Sequence, residues 1–323
     1  MGVTPDVTPD VTPGVTPARP TSDLDRRDPG RRRALTWLRR LAVASVGVNI
    51  LIVVTGGVVR LTGSGLGCPT WPRCTEDSFR PHAAMDVHAA IEFGNRLVTF
   101  LLAAVAIATF LAARRVGRPA LTRLAFVLAL GVPAQALIGG VTVLTGLNPW
   151  TVAFHLLVSM AMICVAVTLL VRVDQPDGPR LPTVPVGVGW LVRGLFGVGW
   201  VVLYLGTVVT GSGPHAGDAD APRNGLDPRA VTQLHTDAVF LLLGLTIAAV
   251  LVLRSGPARA GAAANVLLLV LLAQGVVGYT QYVTGLPVLL VGLHLLGAAL
   301  TAAAMTWLLL TTRAPRDVAS RPS

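Results

Sequence analysis

Eight apolar runs of about 20 residues or more constrain this chain most, because each is long enough to cross a bilayer as a helix. Hydropathy sets them at roughly 40–61, 87–113, 120–144, 149–171, 187–210, 229–253, 262–284 and 288–311. Charged residues make up 13% of the 323-residue chain, about half the share of an ordinary soluble domain (about 25%). A soluble enzyme, a disulfide-rich secreted module and a nucleic-acid-binding domain are excluded. The fold class is an all-α polytopic membrane protein.

The net charge of +10 comes from 26 basic residues, all of them Arg, against 16 acids. Its location explains it. Twenty of the 26 lie in the N-terminal segment, the 2–3, 4–5 and 6–7 connections, or after span 8. The positive-inside rule therefore predicts a cell-membrane protein with both termini in the cytoplasm. Anionic lipid headgroups, not nucleic acid, are the expected partners of this charge. Residues 3–17 repeat V-T-P-D or V-T-P-G and predict a disordered tail, here taken over 1–37. No signal-peptide cleavage site is expected in it.

The two halves repeat one another. Gln135-Ala-Leu-Ile-Gly139, Thr145-Gly146-Leu147 and His155-Leu-Leu recur as Gln274-Gly-Val-Val-Gly278, Thr284-Gly285-Leu286 and His294-Leu-Leu, always at an offset of 139. Thr62-Gly-Ser-Gly65 likewise matches Thr210-Gly-Ser-Gly213. A duplicated four-helix unit accounts for these ordered matches. The expected architecture is two tandem four-helix bundles, 38–172 and 187–312, related by a pseudo-two-fold axis along the membrane normal. Residues 173–186 form a cytoplasmic linker and 313–323 a cytoplasmic tail.

His155, His235 and His294 lie about six or seven residues into their spans, roughly 10 Å below the outer surface at 1.5 Å per residue. Polar groups at that depth are expensive and usually functional. Structural interhelical hydrogen bonding is the plainer reading for any single histidine. Three at one depth, two of them repeat mates, favour a shared task. A zinc site is disfavoured because no cysteine or acid pair stands at ligand spacing. Two imidazoles from two helices suit the axial ligation of a b-type heme iron. His235 and His294 are read as that pair.

In the first half Asn95 stands where the repeat has His235. A heme there would be held by His155 alone or with another group. His88, on the same face as Asn95, is the candidate, with a snorkelling interfacial histidine as the equal alternative. His82 and His215, in outer loops, are given no role. Glu92 shares that face. It is either the local ion-pair partner of Arg96 at i+4 or an acid poised for proton transfer beside a ligand pocket. Asp237 has the same two readings. Cys68-Pro-Thr-Trp-Pro-Arg-Cys74 lies in an outer loop, where a disulfide can persist as a staple or exchange electrons. Cys164 is expected to pack as a small apolar residue.

With these residues in hand, the chain over about 38–312 resembles the heme A synthase family. Gly56-Gly57-Val-Val-Arg60-Leu-Thr62-Gly63-Ser64-Gly65-Leu-Gly67-Cys68 is similar to the family signature at the end of the first span. Glu92-Phe-Gly-Asn95-Arg96 is similar to its E-x-x-H-R motif, with Asn95 in place of histidine. The resemblance implies oxidation of the C8 methyl of heme O to a formyl, giving heme A for aa3-type cytochrome oxidases. It implies a resident heme b on His235 and His294, and a substrate heme site with His155, His88, Asn95 and Arg96 in the first half. Glu92 then matches the catalytic glutamate. Heme O synthase and oxidase assembly factors become possible partners, and a homo-oligomer is possible. A histidine two turns before the missing one fits the branch found in high-GC Gram-positive bacteria, as does the Arg-only usage. The loop after span 5 lacks the cysteine pair that some members carry. Two rival expectations are a non-enzymatic heme-binding membrane protein and a tandem-repeat transporter.

Overall fold

The computed structural model describes residues 29–68, 70–79 and 87–316. Eight helices are long and apolar enough to cross a membrane. They are α1 (Pro29–Leu61), α2 (Val87–Val116), α3 (Pro119–Leu144), α4 (Pro149–Val173), α5 (Val186–Ser212), α6 (Pro228–Leu253), α7 (Ala258–Val283) and α8 (Val288–Thr311). Two short strands, β1 (Arg180–Pro182) and β2 (Arg313–Pro315), pair antiparallel, with Leu181 opposite Ala314. The all-helical fold class holds; the ribbon is a local addition that three-residue segments could not announce by periodicity.

Proline and small polar caps start several helices. Pro119, Pro149 and Pro228 open α3, α4 and α6, where the first-turn N–H would have no partner anyway. Asn148 Oδ1 accepts the Trp150 N–H at 3.0 Å, and Asp227 Oδ1 accepts the Arg229 N–H at 3.1 Å.

One boundary needs correction. Residues 29–37 were assigned to the tail, yet α1 begins at Pro29. Hydropathy sees only the apolar part of a helix, whereas Arg31, Arg32, Arg33, Ala34 and Leu35 are good helix formers that continue it. Arg39 then reaches Asp174 at 3.1 Å beyond the end of α4. The V-T-P repeat, Arg80, His82 and the last residues of the chain lie outside the described residues.

Helix contacts run around two rings. One comprises α1–α2, α2–α3, α3–α4 and α4–α1; the other α5–α6, α6–α7, α7–α8 and α8–α5. The rings meet where α8 packs on α1 and α4, and where α4 packs on α5. Small residues permit that close approach: Ala299, Thr301, Ala302 and Ala304 of α8 are all buried. Leu195, Leu242, Leu267, Met305 and Leu308 are fully buried in the second ring, and Leu38, Leu121, Ala125, Ala166 and Leu169 in the first.

The repeat is visible atom by atom. Gly146 and Leu147 follow α3 with φ of 59° each, and Gly285 and Leu286 follow α7 with φ of 78° and 62°. A left-handed leucine is uncommon, and here it occurs at both copies of one turn. The Leu147 N–H closes on Thr142 O at 2.8 Å and the Leu286 N–H on Gln281 O at 2.7 Å.

Candidate functional site

One cavity of about 1940 Å³ runs through both rings, lined by His155, His235, His294, Glu92, Asn95 and Arg96 among others. These six sequence-predicted residues are thereby brought to a common wall. His88 is not. Its Nδ1 stands 3.0 Å from Ser64 Oγ, and its side chain is absent from the lining.

Each cavity histidine is seated the same way. A Cβ added to Gly139, Gly206 or Gly278 would stand 3.3, 3.4 or 3.1 Å from Cε1 of His155, His235 or His294. Glycine on the neighbouring helix is what lets the Cε1 edge of each ring come close to the backbone. Two of the three seats are further fixed by the repeated glutamine, since Gln135 Nε2 donates to His155 O at 3.3 Å and Gln274 Nε2 to His294 O at 2.9 Å. In all three histidines Nδ1 is buried with no hydrogen-bond partner among the described residues. That leaves Nε2 as the nitrogen able to meet a ligand in the cavity. His235 and His294, from α6 and α8, line the same cavity. Two imidazoles facing a large, mainly apolar space suit a flat metalloporphyrin: the donor set and the glycine seats both fit.

Glu92 is 5% exposed, yet its charge is answered on both oxygens. Arg96 Nη2 donates to Oε1 at 2.7 Å, and the Cys68 backbone N–H donates to Oε2 at 2.6 Å. Arg96 also reaches the carbonyls of Cys68 and Thr70 at 3.2 and 3.3 Å and that of Arg73 at 3.3 Å. Cys68 and Cys74 are joined in a disulfide. The loop between them is therefore strapped over Glu92 by one guanidinium. Trp71 from this loop lies against Gly140 of α3, where no side chain could fit beneath it, and it lines the cavity with Pro72. Asn95 Oδ1 accepts the Thr55 hydroxyl at 2.7 Å.

Other sequence candidates sit apart. Asp237 is exposed and accepts from Gln233 Nε2 at 2.7 Å, a surface contact within α6. Cys164 is a free thiol, half-buried, with Sγ 3.8 Å from Ala302 O. His215, given no role in sequence, places Nε2 3.0 Å from Leu286 O and joins the loop after α5 to the turn before α8. The side chains that sequence reasoning passed over are Arg60, Trp71 and the two glutamines. The glutamines were within reach as repeat mates and Arg60 as part of the first-span signature; Trp71 carried no positional signal.

Eight apolar helices around a histidine-lined cavity with one clamped carboxylate define a multi-pass membrane protein. Residues 39–222 match the COX15-CtaA family model, described as cytochrome oxidase assembly protein, and the chain belongs to that family. It is similar to the heme A synthase of Symbiobacterium thermophilum, with 32% identity over 185 residues, 53% of this chain and 58% of that one. It is similar to that of Lysinibacillus sphaericus, 29% over 179 residues, 54% and 58%. For that of Bacillus cereus the figures are 27% over 226 residues, 67% and 70%. The match thus spans 58% of the length of each of the first two relatives. The family match includes Glu92, Asn95, Arg96 and His155 and stops before His235 and His294.

Proposed function

We propose that this protein is an oxidoreductase that converts heme O to heme A, supplying aa3-type cytochrome oxidase. The observation that carries the reading is Glu92: a nearly buried acid on the wall of a histidine-lined cavity, in a chain of the cytochrome oxidase assembly family. A purely heme-binding protein shares the histidines but has no need of a carboxylate clamped there.

The halves are read as tandem four-helix bundles, 38–172 and 187–312, related by a pseudo-two-fold axis; the two rings of helix contacts and the repeated turns support this. His235 and His294 would hold a resident heme b, which when bound supplies a low-spin iron for electron transfer. The first half would take heme O, with His155 toward its iron and Asn95 and Arg96 beside it. His88, hydrogen-bonded to Ser64, is the second candidate for that iron. The membrane is the cell membrane and both termini are cytoplasmic, by the arginine distribution. The branch found in high-GC Gram-positive bacteria fits the Asn95 pattern. Heme O synthase, assembly factors and a second copy of the chain are the partners to look for.

The chemistry asked of Glu92 is limited. Converting the substrate methyl to a formyl takes two hydroxylations by water and loss of one water, with four electrons and four protons leaving. The four electrons would leave through the conjugated ring of the substrate to an external electron acceptor. A carboxylate beside the carbon stabilises positive charge as it develops and accepts the proton of the attacking water. Arg96 and the Cys68 N–H hold both oxygens in place, so no reorientation is needed at that moment. Trp71 and Pro72 cover the cavity at the disulfide end.

The test is pigment extraction from membranes of cells that supply heme O. Heme A should accumulate with the wild type and be missing with Glu92→Ala. No heme A from wild type, or equal amounts from both, sinks the enzymatic reading. A pyridine hemochrome of the purified protein identifies the resident heme.

A further inference from the structure

The cavity wall carries an unbalanced charge. Among its described lining residues Glu92 is the one acid, and Arg60, Arg96 and Arg229 are the cations. Arg96 and Glu92 answer each other at 2.7 Å. Two guanidiniums are left over. Arg60 donates from Nε to His215 O at 2.7 Å and from Nη2 to Thr210 O at 3.0 Å, both uncharged acceptors. The charge that acts on it is another cation, Arg223, which is itself turned to the carbonyls of Ala221 and Pro214. The Arg229 side chain makes no hydrogen bond or ion pair among the described residues; its backbone N–H is the group held by Asp227. Arg60 is half-buried without a counter-charge, which is costly and calls for an anion, and Arg229 stands exposed at the cavity edge with its guanidinium unengaged.

Both lie on the disulfide side of the His235–His294 pair. Arg229 precedes His235 on α6 by roughly 9 Å of helix rise at 1.5 Å per residue. Arg60 adjoins Leu61, whose Cδ1 lies 3.6 Å from where a Cβ on Gly292 would stand, half a turn before His294. Its acceptor Thr210 is one turn along α5 from Gly206, the glycine that backs His235.

We propose that Arg60 and Arg229 form a dianion site that takes the two carboxylates of the porphyrin bound between His235 and His294. This rests on reading those histidines as the heme pair and adds what fixes the ring's rotation about the axial bonds. The number of free cations matches the two propionates of a protoporphyrin. The guanidinium fork suits a carboxylate, which an ammonium could answer only as a point charge. Arg60 comes from α1, so a ligand seated in the second half is gripped by the first half as well.

The experiment uses the purified full chain, titrated with iron protoporphyrin IX and with its dimethyl ester and followed by the Soret band. Wild type is expected to bind the diacid at least about tenfold more tightly than the diester, the scale of one charge-assisted hydrogen bond. Arg60→Gln and Arg229→Gln should each shrink that preference and together abolish it, with the low-spin spectrum at saturation unchanged. Arg229→Gln removes no side-chain hydrogen bond or ion pair among the described residues, so it reports even if Arg60→Gln disturbs the fold. Equal binding of both porphyrins by wild type, or an unaltered preference in the variants, overturns the anchor. A chain that gives no low-spin spectrum with either porphyrin overturns the heme pair and the anchor with it.

Discussion

Glu92 Oε2 accepts the backbone N–H of Cys68 at 2.6 Å, so the acid of the cavity wall and the first cysteine of the disulfide loop are one hydrogen-bonded unit. The loop is not a passive cover. Its backbone supplies half of what holds the carboxylate, and Arg96 supplies the other half.

Replacing Glu92 by Gln keeps the shape but removes the charge. Heme A formation is expected to fall by about a hundredfold or more, the lower range for loss of a positioned acid–base group. Heme bound at His235 and His294 should be unaffected. Chromatography of extracted hemes and the Soret spectrum of the same preparation give both numbers.

Arg96→Ala leaves Glu92 nearly buried without its cation and frees the loop carbonyls. Removing one partner of a buried pair costs about 3–5 kcal/mol. The expected outcome is a lower unfolding midpoint and cleavage by added protease within 70–79. Protection equal to wild type would show that the loop is held by the disulfide and Trp71 instead.

Gly278→Ala and Gly139→Ala make the same change at repeat-related positions. At Gly278 the new methyl would stand 3.1 Å from His294 Cε1, and at Gly139 3.3 Å from His155 Cε1. Overpacking of this kind costs about 1–3 kcal/mol. Gly278→Ala should weaken the low-spin heme several-fold, whereas Gly139→Ala should spare it and slow turnover. Identical spectra from the two variants would contradict separate sites.

Asn95→His adds an imidazole to the cavity wall at the position that matches His235 in the repeat. A second low-spin species is expected on adding heme O, read as a shift of the substrate's absorption. An unchanged spectrum would move attention to His88 and its bond to Ser64.

How much of this was legible in the sequence depends on distance along the chain. The eight spans were set by hydropathy, and the cavity histidines by depth and by the 139-residue offset. Both are periodic signals that single residues carry on their own. The Glu92–Arg96 pair was legible because i+4 neighbours share a helix face. The Cys68 N–H on Glu92 was not, since the two residues stand 24 positions apart across a loop without periodicity. Arg60 was legible only as part of the first-span signature; its carbonyl partners lie at Thr210 and His215, across the ring interface, where no local rule reaches. The start of α1 at Pro29 was missed because hydropathy stops where water begins and helix does not.

The ribbon of β1 and β2 has one further consequence. β1 leads into α5 and β2 follows α8, and Thr183 joins the strand ends through its N–H to Thr312 O at 3.0 Å and its hydroxyl to Thr311 O at 2.8 Å. The entrance and exit of the second half therefore stand side by side. A unit whose ends meet can be duplicated, transplanted or circularly permuted without stretching the chain, and a new opening cut in the loop before α6 would leave its ring of helices closed.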